Sequence, residues 1–140
     1  MTIELADTSV LILAHRKPAI GRPLQVAIAR DEITICDIVE LEYLMGARNA
    51  IDYAAMEAAF AGFRRLPIEG ADWARVRDVH RALAKTRPGH QRSVRLADLI
   101  IAAVAERHGM GIVHYDEDYD RIAAITRQPT RWIAPRGSVG

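Results

Sequence analysis

Ile3-Glu4-Leu5-Ala6-Asp7-Thr8-Ser9 is a short apolar run that reaches an aspartate and two hydroxyls and then turns into Val10-Leu11-Ile12-Leu13-Ala14. The first half reads as a strand that delivers Asp7 to its carboxyl end. Thr8 decides the second half, because a hydroxyl residue just ahead of an apolar run accepts a hydrogen bond from a free backbone N–H and starts a helix. A strand passing straight into a helix is the unit of an α/β sheet. In open sheets of that kind ligands sit beyond the carboxyl ends of the strands, where helix N-termini present free N–H groups.

Outward from this stretch, Pro18 and Pro23 predict a loop and Leu24 to Arg30 a short helix. The β-branched run Glu32-Ile33-Thr34-Ile35-Cys36 predicts a second strand, with Asp37 as the cap of a helix over 38–46. At 100° per residue Ile38, Leu41 and Met45 share an apolar face on which Glu42 also lies, while Glu40 points the opposite way. Residues 47–66 carry Ile51, Ala55, Ala58, Ala59 and Phe63 at helical spacing. After the break at Pro67-Ile68-Glu69-Gly70, residues 71–85 predict another helix with Trp73, Val76, His80 and Leu83 on one side, the two forming a hairpin inserted between sheet elements. Residues 86–93 read as a basic loop. Leu96 to Arg107 reads as a helix closed by Gly109, with Asp98 in its first turn on the face of Ile101, Ala102 and Ala105. Gly111 to Tyr115 predicts a strand ending at Asp116, followed by Asp118, Asp120 and a short helix, and Thr130 to Ile133 a last strand.

Strands and helices alternate without repeat or boundary, so residues 1–140 are expected to form a single α/β domain. The expected architecture is a three-layer α/β/α sandwich around a mainly parallel sheet. The charge balance of 19 Lys and Arg against 18 Asp and Glu advertises no polyanionic partner by itself. The single cysteine, Cys36, suits a reducing compartment. With no signal-peptide pattern and no apolar run near the ~20 residues of a membrane span, a cytoplasmic protein without membrane contact is expected.

In a parallel sheet with right-handed crossovers, Asp7 and Asp116 share one edge, and Glu42 and Asp98 stand near helix starts beside it. Four carboxylates in one crevice repel strongly unless some are protonated or a divalent cation joins them. Oxygen-only donors select hard ions, so Mg²⁺ is expected, with Mn²⁺ able to substitute. Each acid also has a plain structural reading: Asp7 as a helix cap, Glu42 in a salt bridge to Arg48 or Arg95, Asp98 as a helix-dipole partner, Asp116 to Asp120 as an acidic turn. His80 and His108 read as structural histidines, and Trp73 and Phe63 as core. The cluster Lys85, Arg87, His90, Arg92 and Arg95 precedes Asp98 closely enough to border the crevice. Phosphoaspartate chemistry of the haloacid-dehalogenase kind is disfavoured because Ser9 stands where its second aspartate belongs. No glycine-rich turn supports nucleotide binding.

The segments Asp7-Thr8-Ser9, Glu42 to Gly46, Asp98 to Ala105 and His114 to Tyr119, in this order and at these distances, resemble PIN-domain ribonucleases, and most closely the VapC-type toxins of bacterial toxin–antitoxin pairs. The resemblance covers nearly the whole chain. It implies a metal-dependent endoribonuclease in which Asp7, Glu42, Asp98 and Asp116 hold the metal and perform catalysis, with Asp118 as an auxiliary ligand. Thr8, Ser9, Arg92 and His114 are candidate substrate contacts. Where the family often carries Thr two residues before the fourth acid, this chain has His114, whose imidazole could orient water or contact RNA. The resemblance also implies an RNA substrate, a homodimer and a cognate antitoxin, with the first helix and residues 47–66 as candidate surfaces. A catalytically inactive PIN scaffold that binds RNA or a protein is the alternative.

Overall fold

The computed structural model describes residues 2–139 of the chain. Its strands are β1 (Glu4–Ala6), β2 (Ile33–Cys36), β3 (Arg64–Leu66), β4 (Gly111–His114) and β5 (Thr130–Trp132). They form one sheet in the order β3-β2-β1-β4-β5, and every neighbouring pair is parallel. From β1 the chain steps outward through β2 to β3, then returns to the other side of β1 for β4 and β5. The direction of winding therefore reverses between β1 and β4, and a reversal of this kind opens a crevice at the strands' carboxyl ends.

Helices cover the sheet. α1 (Thr8–Arg16) packs on α2 (Pro18–Ala29), and α3 (Asp37–Leu44) packs against α1. On the rest of the sheet α7 (Leu96–Arg107) lies over β1 and β4 and is flanked by α5 (Gly70–Thr86) and α8 (Asp118–Thr126). Leu5, Ile35, Ile112 and Val113 are fully buried, as expected of parallel strands shielded on both faces. Asp98 to Ala105 are buried without interruption, so α7 is a central helix rather than a surface one. Its end follows the sequence reading: Gly109 has φ +64°, its N–H donates to the Glu106 carbonyl at 3.1 Å, and the Met110 N–H donates to the Ala105 carbonyl at 2.9 Å. Arg75 Nε donates to Glu106 at 2.7 Å and Arg107 Nε to Asp72 at 2.8 Å, which sets α5 antiparallel to α7.

Several expectations are corrected. Asp7, not Thr8, caps α1, with its carboxylate accepting from the Ser9 N–H at 3.1 Å. The expected loop at Pro18 and Pro23 is helical: Pro18 opens α2, where its fixed φ suits a first turn, and Pro23 lies inside. Gly21 lets α2 approach α1, since a Cβ there would stand 2.5 Å from the Ala14 carbonyl oxygen. Asp37 is the first residue of α3 rather than its cap.

The expected helix over 47–66 is shorter and gives way to a strand. α4 (Ala50–Ala58), capped by Asn49, passes through a 3-10 turn (Ala59–Gly62) into β3. No helical hairpin enters between sheet elements. β3 contains no β-branched residue and exposes both arginines, so its pairing with β2 defines it, not its own pattern. That strand also overturns the face assigned to α3. Arg65 pairs with Glu40 and buries it, whereas Leu41 is exposed and Met45 is 83% exposed. Trp73, expected in the core, is 49% exposed, because α5 turns Asp72, Val76, Val79 and Leu83 inward. The basic loop contains one helical turn, α6 (His90–Ser93). Among the described residues, no helix is long and apolar enough to cross a membrane.

Candidate active site at the carboxyl end of the sheet

The crevice between β1 and β4 has a volume of about 450 Å³, and Asp7, Ser9, Glu42, Arg95 and Asp116 are among the residues that line it. Asp7 follows β1 directly and is buried. Its Oδ2 accepts from the Ser9 N–H at 3.1 Å and from Ser9 Oγ at 2.5 Å, while Oδ1 accepts from the Tyr119 hydroxyl at 2.6 Å. Ser9 Oγ in turn accepts from the Tyr115 N–H at 2.9 Å, tying the start of α1 to the end of β4.

Asp98 enters from the first turn of α7 and is 1% exposed. Its Oδ1 lies 3.4 Å from the Tyr119 hydroxyl, no N–H or hydroxyl of the described residues donates to its buried Oδ2, and a hydrogen bond with the Asp118 carboxylate favours the protonated form. A bare buried carboxylate is costly, and the group responds by holding its proton. Burial first, then the charge of Asp7, pushes the Asp98 pKa up to about 8, with Arg95 offsetting only part of the rise. Asp116 and Asp118 complete the floor. One oxygen from each of Asp98, Asp116 and Asp118 lies within 4.8 Å of the others. Burial raises the Asp116 pKa, although its Oδ1 accepts from the Asp118 N–H at 2.9 Å. Asp118 is held by Arg121 at 2.8 Å. An all-oxygen set whose buried inner atom receives no N–H or hydroxyl donor is chemically suited to a hard divalent cation.

Glu42 comes from α3 and stands apart from that trio. Thr8 Oγ1 donates to it at 2.8 Å, and Arg95 forms an ion pair with its other oxygen while lying 4.0 Å from Asp98 Oδ1. The salt bridge to Arg95 is one of the two structural readings given for Glu42; the other candidate, Arg48, pairs with Asp52 instead. Arg92 is exposed and does not line the crevice; Arg95 is the arginine that does.

His114 is not in the crevice. It is 0% exposed, packed 4.9 Å from the Tyr119 ring and 5.0 Å from the Trp132 ring, so the expected contact with RNA has no surface on which to form. Its Nδ1 accepts from the Asp116 N–H at 3.2 Å, and burial lowers its pKa and keeps it neutral. Its role is to fix the main chain at the fourth acid. His80 is structural as expected, with Nε2 3.1 Å from the Gln91 carbonyl oxygen. Tyr119 was missed as a site residue. It is fully buried, and burial followed by the charges of Asp7 and Asp98 pushes its pKa well above the usual phenol value, so it stays a hydroxyl that donates to Asp7 at 2.6 Å and stands 3.4 Å from Asp98. Its spacing to Asp116 was available in the sequence, but a tyrosine on the inner face of a short helix reads as core.

The chain is similar to known proteins over most of its length. The PIN domain model matches residues 5–125. Ribonuclease VapC18 of Mycobacterium tuberculosis is 47% identical over 133 residues, spanning 95% of this chain and 96% of the relative. Ribonuclease VapC21 of the same species is 39% identical over 142 residues, 98% of each chain. Among solved structures, VapBC-1 from nontypeable Haemophilus influenzae superposes with a TM-score of 0.73 at 19% identity, covering 94% of this chain and 98% of that one, which supports the same fold. With a family model over most of its length and relatives matched end to end, this chain belongs to the PIN-domain family, in the group of the VapC ribonucleases.

Proposed function

We propose that this protein is a Mg²⁺-dependent endoribonuclease that hydrolyses RNA phosphodiester bonds as the toxin of a toxin–antitoxin pair. The observation that carries the reading is the cluster of Asp98, Asp116 and Asp118, one oxygen of each within 4.8 Å of the others, with a buried Asp98 Oδ2 that receives no N–H or hydroxyl donor. A binding scaffold gains nothing from such an atom, whereas a cation would complete it. The relatives named as ribonucleases point the same way.

In this reading Asp98, Asp116 and Asp118 hold the ion, and Asp7 and Glu42 line its outer side. A bound divalent ion supplies polarisation of the scissile phosphate and acidification of a water. To serve as a ligand Asp98 would have to give up its proton, so an ion held there would compete with protonation. Tyr119 fixes the carboxylate of Asp7 and leans on Asp98, so neither swings out of register. Ser9 holds Asp7 from the other side, and Thr8 orients Glu42. Ile12 and Met45 give the crevice an apolar, solvent-exposed part of its lining. A cognate antitoxin and a second copy of the chain are the proposed partners. The apolar cavity of about 440 Å³ lined by Leu11, Leu24, Tyr43, Phe60 and Phe63 is formed by α1, α2, α3 and the turn before β3, and so only partly overlaps the candidate surfaces on the first helix and residues 47–66.

The test is cleavage of single-stranded RNA by purified protein, with 5′-end mapping, in Mg²⁺, Mn²⁺ or EDTA. Cutting at defined positions with either ion, and none in EDTA or in Asp7→Asn, is expected. Equal cutting by Asp7→Asn would remove the carboxylate site from the reaction.

A further inference from the structure

The near-neutral charge of the chain conceals a segregation. Residues 73–97 hold seven of the nineteen Lys and Arg but only one of the eighteen Asp and Glu, Asp78. Trp73, Arg77, Arg81 and Lys85 follow one another at four-residue spacing on α5, which sets them in a row along the helix. All four are exposed, since the opposite face carries the buried residues that pack on α7. At 1.5 Å per residue the row is about 18 Å long. Exposed Arg87 and Arg92 continue it beyond the helix end.

Antiparallel packing against α7 gives the row a direction. Asp72, at one end of α5, meets Arg107, so the Lys85 end lies beside the start of α7, where Arg95 lines the crevice and stands 4.0 Å from Asp98. The row therefore runs toward the acidic site. It is also unbalanced. Arg65, Arg75, Arg107, Arg121, Arg131 and Arg136 all sit in ion pairs, whereas Arg77, Lys85, Arg87 and Arg92 make none among the described residues. Arg81 reaches only Asp78, at 3.5 Å. Like charges four residues apart weaken a helix, while a merely solvated face would alternate sign. The crevice itself repels phosphates, so attraction for a polyanion has to come from elsewhere on the surface. A half-exposed indole in line with free cations is the combination that holds single strands, stacking for a base and cations for the backbone.

We propose that the outer face of α5, continued by Arg87 and Arg92, is the track on which single-stranded RNA lies as it enters the crevice, with phosphates on the cations and a base on Trp73. The proposal rests on the endoribonuclease reading, and its test separates the two.

Binding of fluorescein-labelled oligouridylate is measured by fluorescence anisotropy over a salt series in EDTA, where nothing is cut. The proteins are wild type, Trp73→Ala, and the triple variant Arg77→Ser, Arg81→Ser, Lys85→Ser. Unchanged circular-dichroism melts confirm folding. The triple variant is expected to flatten the slope of log Kd against log salt by about 2, near 0.7 per lost phosphate contact. Trp73→Ala is expected to weaken binding about tenfold with the slope unchanged. A triple variant with wild-type affinity and slope overturns the track, as does a wild type that does not bind. So does a triple variant that keeps RNA binding but loses an acidic protein partner in pull-down, which would make the face a protein surface. A wild type that binds with the expected slope but cuts no RNA in Mg²⁺ or Mn²⁺ supports the track and overturns the nuclease reading.

Discussion

Asp72 and Asp98 each stand in the first turn of a long helix, each is 1% exposed, and their two helices pack on one another. Their surroundings differ. Asp72 accepts from Arg107 at 2.8 and 3.0 Å and from the Glu69 N–H at 2.8 Å, so both its oxygens are engaged. Burial pushes its pKa up, but Arg107 and the Glu69 N–H outweigh burial and hold it below the ordinary carboxylate range. Asp98 has no such donors, and its pKa rises to about 8. Equal solvent exposure thus goes with opposite proton affinities, because Asp98 is more deeply enclosed by protein and stands beside Asp7, Asp116 and Asp118, whereas Asp72 is paired with Arg107. The fold engages both oxygens of Asp72 with donors, whereas no N–H or hydroxyl of the described residues donates to Asp98 Oδ2.

Breaking the Asp98 side of this comparison should have the largest effect. Asp98→Asn should lower RNA cleavage at least about 100-fold, the upper end for losing even a group behind the ligands. The same variant tests proton affinity. An unfolded aspartate ionises near pH 3.9, while native Asp98 keeps its proton up to about pH 8. Between those values the native state binds more protons, so the metal-free protein should lose stability as pH rises through that window. Thermal melts in EDTA at both ends of the window should show this fall in wild type and its reduction in Asp98→Asn. By the same linkage Mn²⁺ should bind more tightly as pH approaches 8.

The reverse result is expected on the other helix. Asp72→Ala should cost about 1 kcal/mol in urea unfolding, because the Glu69 N–H loses its acceptor and the capping box is broken, while Arg107 keeps Glu69 and the Pro67 carbonyl. Cleavage by the folded fraction should not change. A loss of activity at constant fold would put Asp72 in the site. Tyr119→Phe removes a single oxygen and should weaken Mn²⁺ binding about tenfold by calorimetry, with no change in a Tyr115→Phe control. The smallest effect is expected from Arg95→Gln. The Arg95 side chain is 55% exposed, and releasing Glu42 from it should tighten Mn²⁺ binding by about threefold. Weaker binding would show that Arg95 serves the ion rather than competes with it.

The acids at strand ends were legible because their position follows from local pattern: an apolar run, then Asp7 or Asp116. Asp98 was legible from the helix period, which placed it on the face of Ile101 and Ala105. Glu42 was reached for a wrong reason, since the supposed apolar face of α3 is open to solvent and the glutamate that goes inside is Glu40, under Arg65. Tyr119 is not legible as a site residue because its role depends on neighbours from other elements, and the choice of Arg95 over Arg48 as the partner of Glu42 depends on them as well. β3 escaped for the same reason, as an edge strand without β-branched residues announces itself only through its partner.

By itself the sequence determined the alternation of strands and helices, and with it a parallel sheet whose carboxyl end carries acids. Backbone propensity, side-chain period and capping act over a few residues and can be read in one dimension. Tertiary structure alone decided which carboxylates receive donors. Arg107 closes on Asp72, Arg95 on Glu42 and Arg65 on Glu40, each across 25 residues or more. Asp98 Oδ2 is left without one. Hydrogen-bond satisfaction in a low-dielectric interior is a property of position in space, so the difference between a finished aspartate and an available one exists only once the helices have packed.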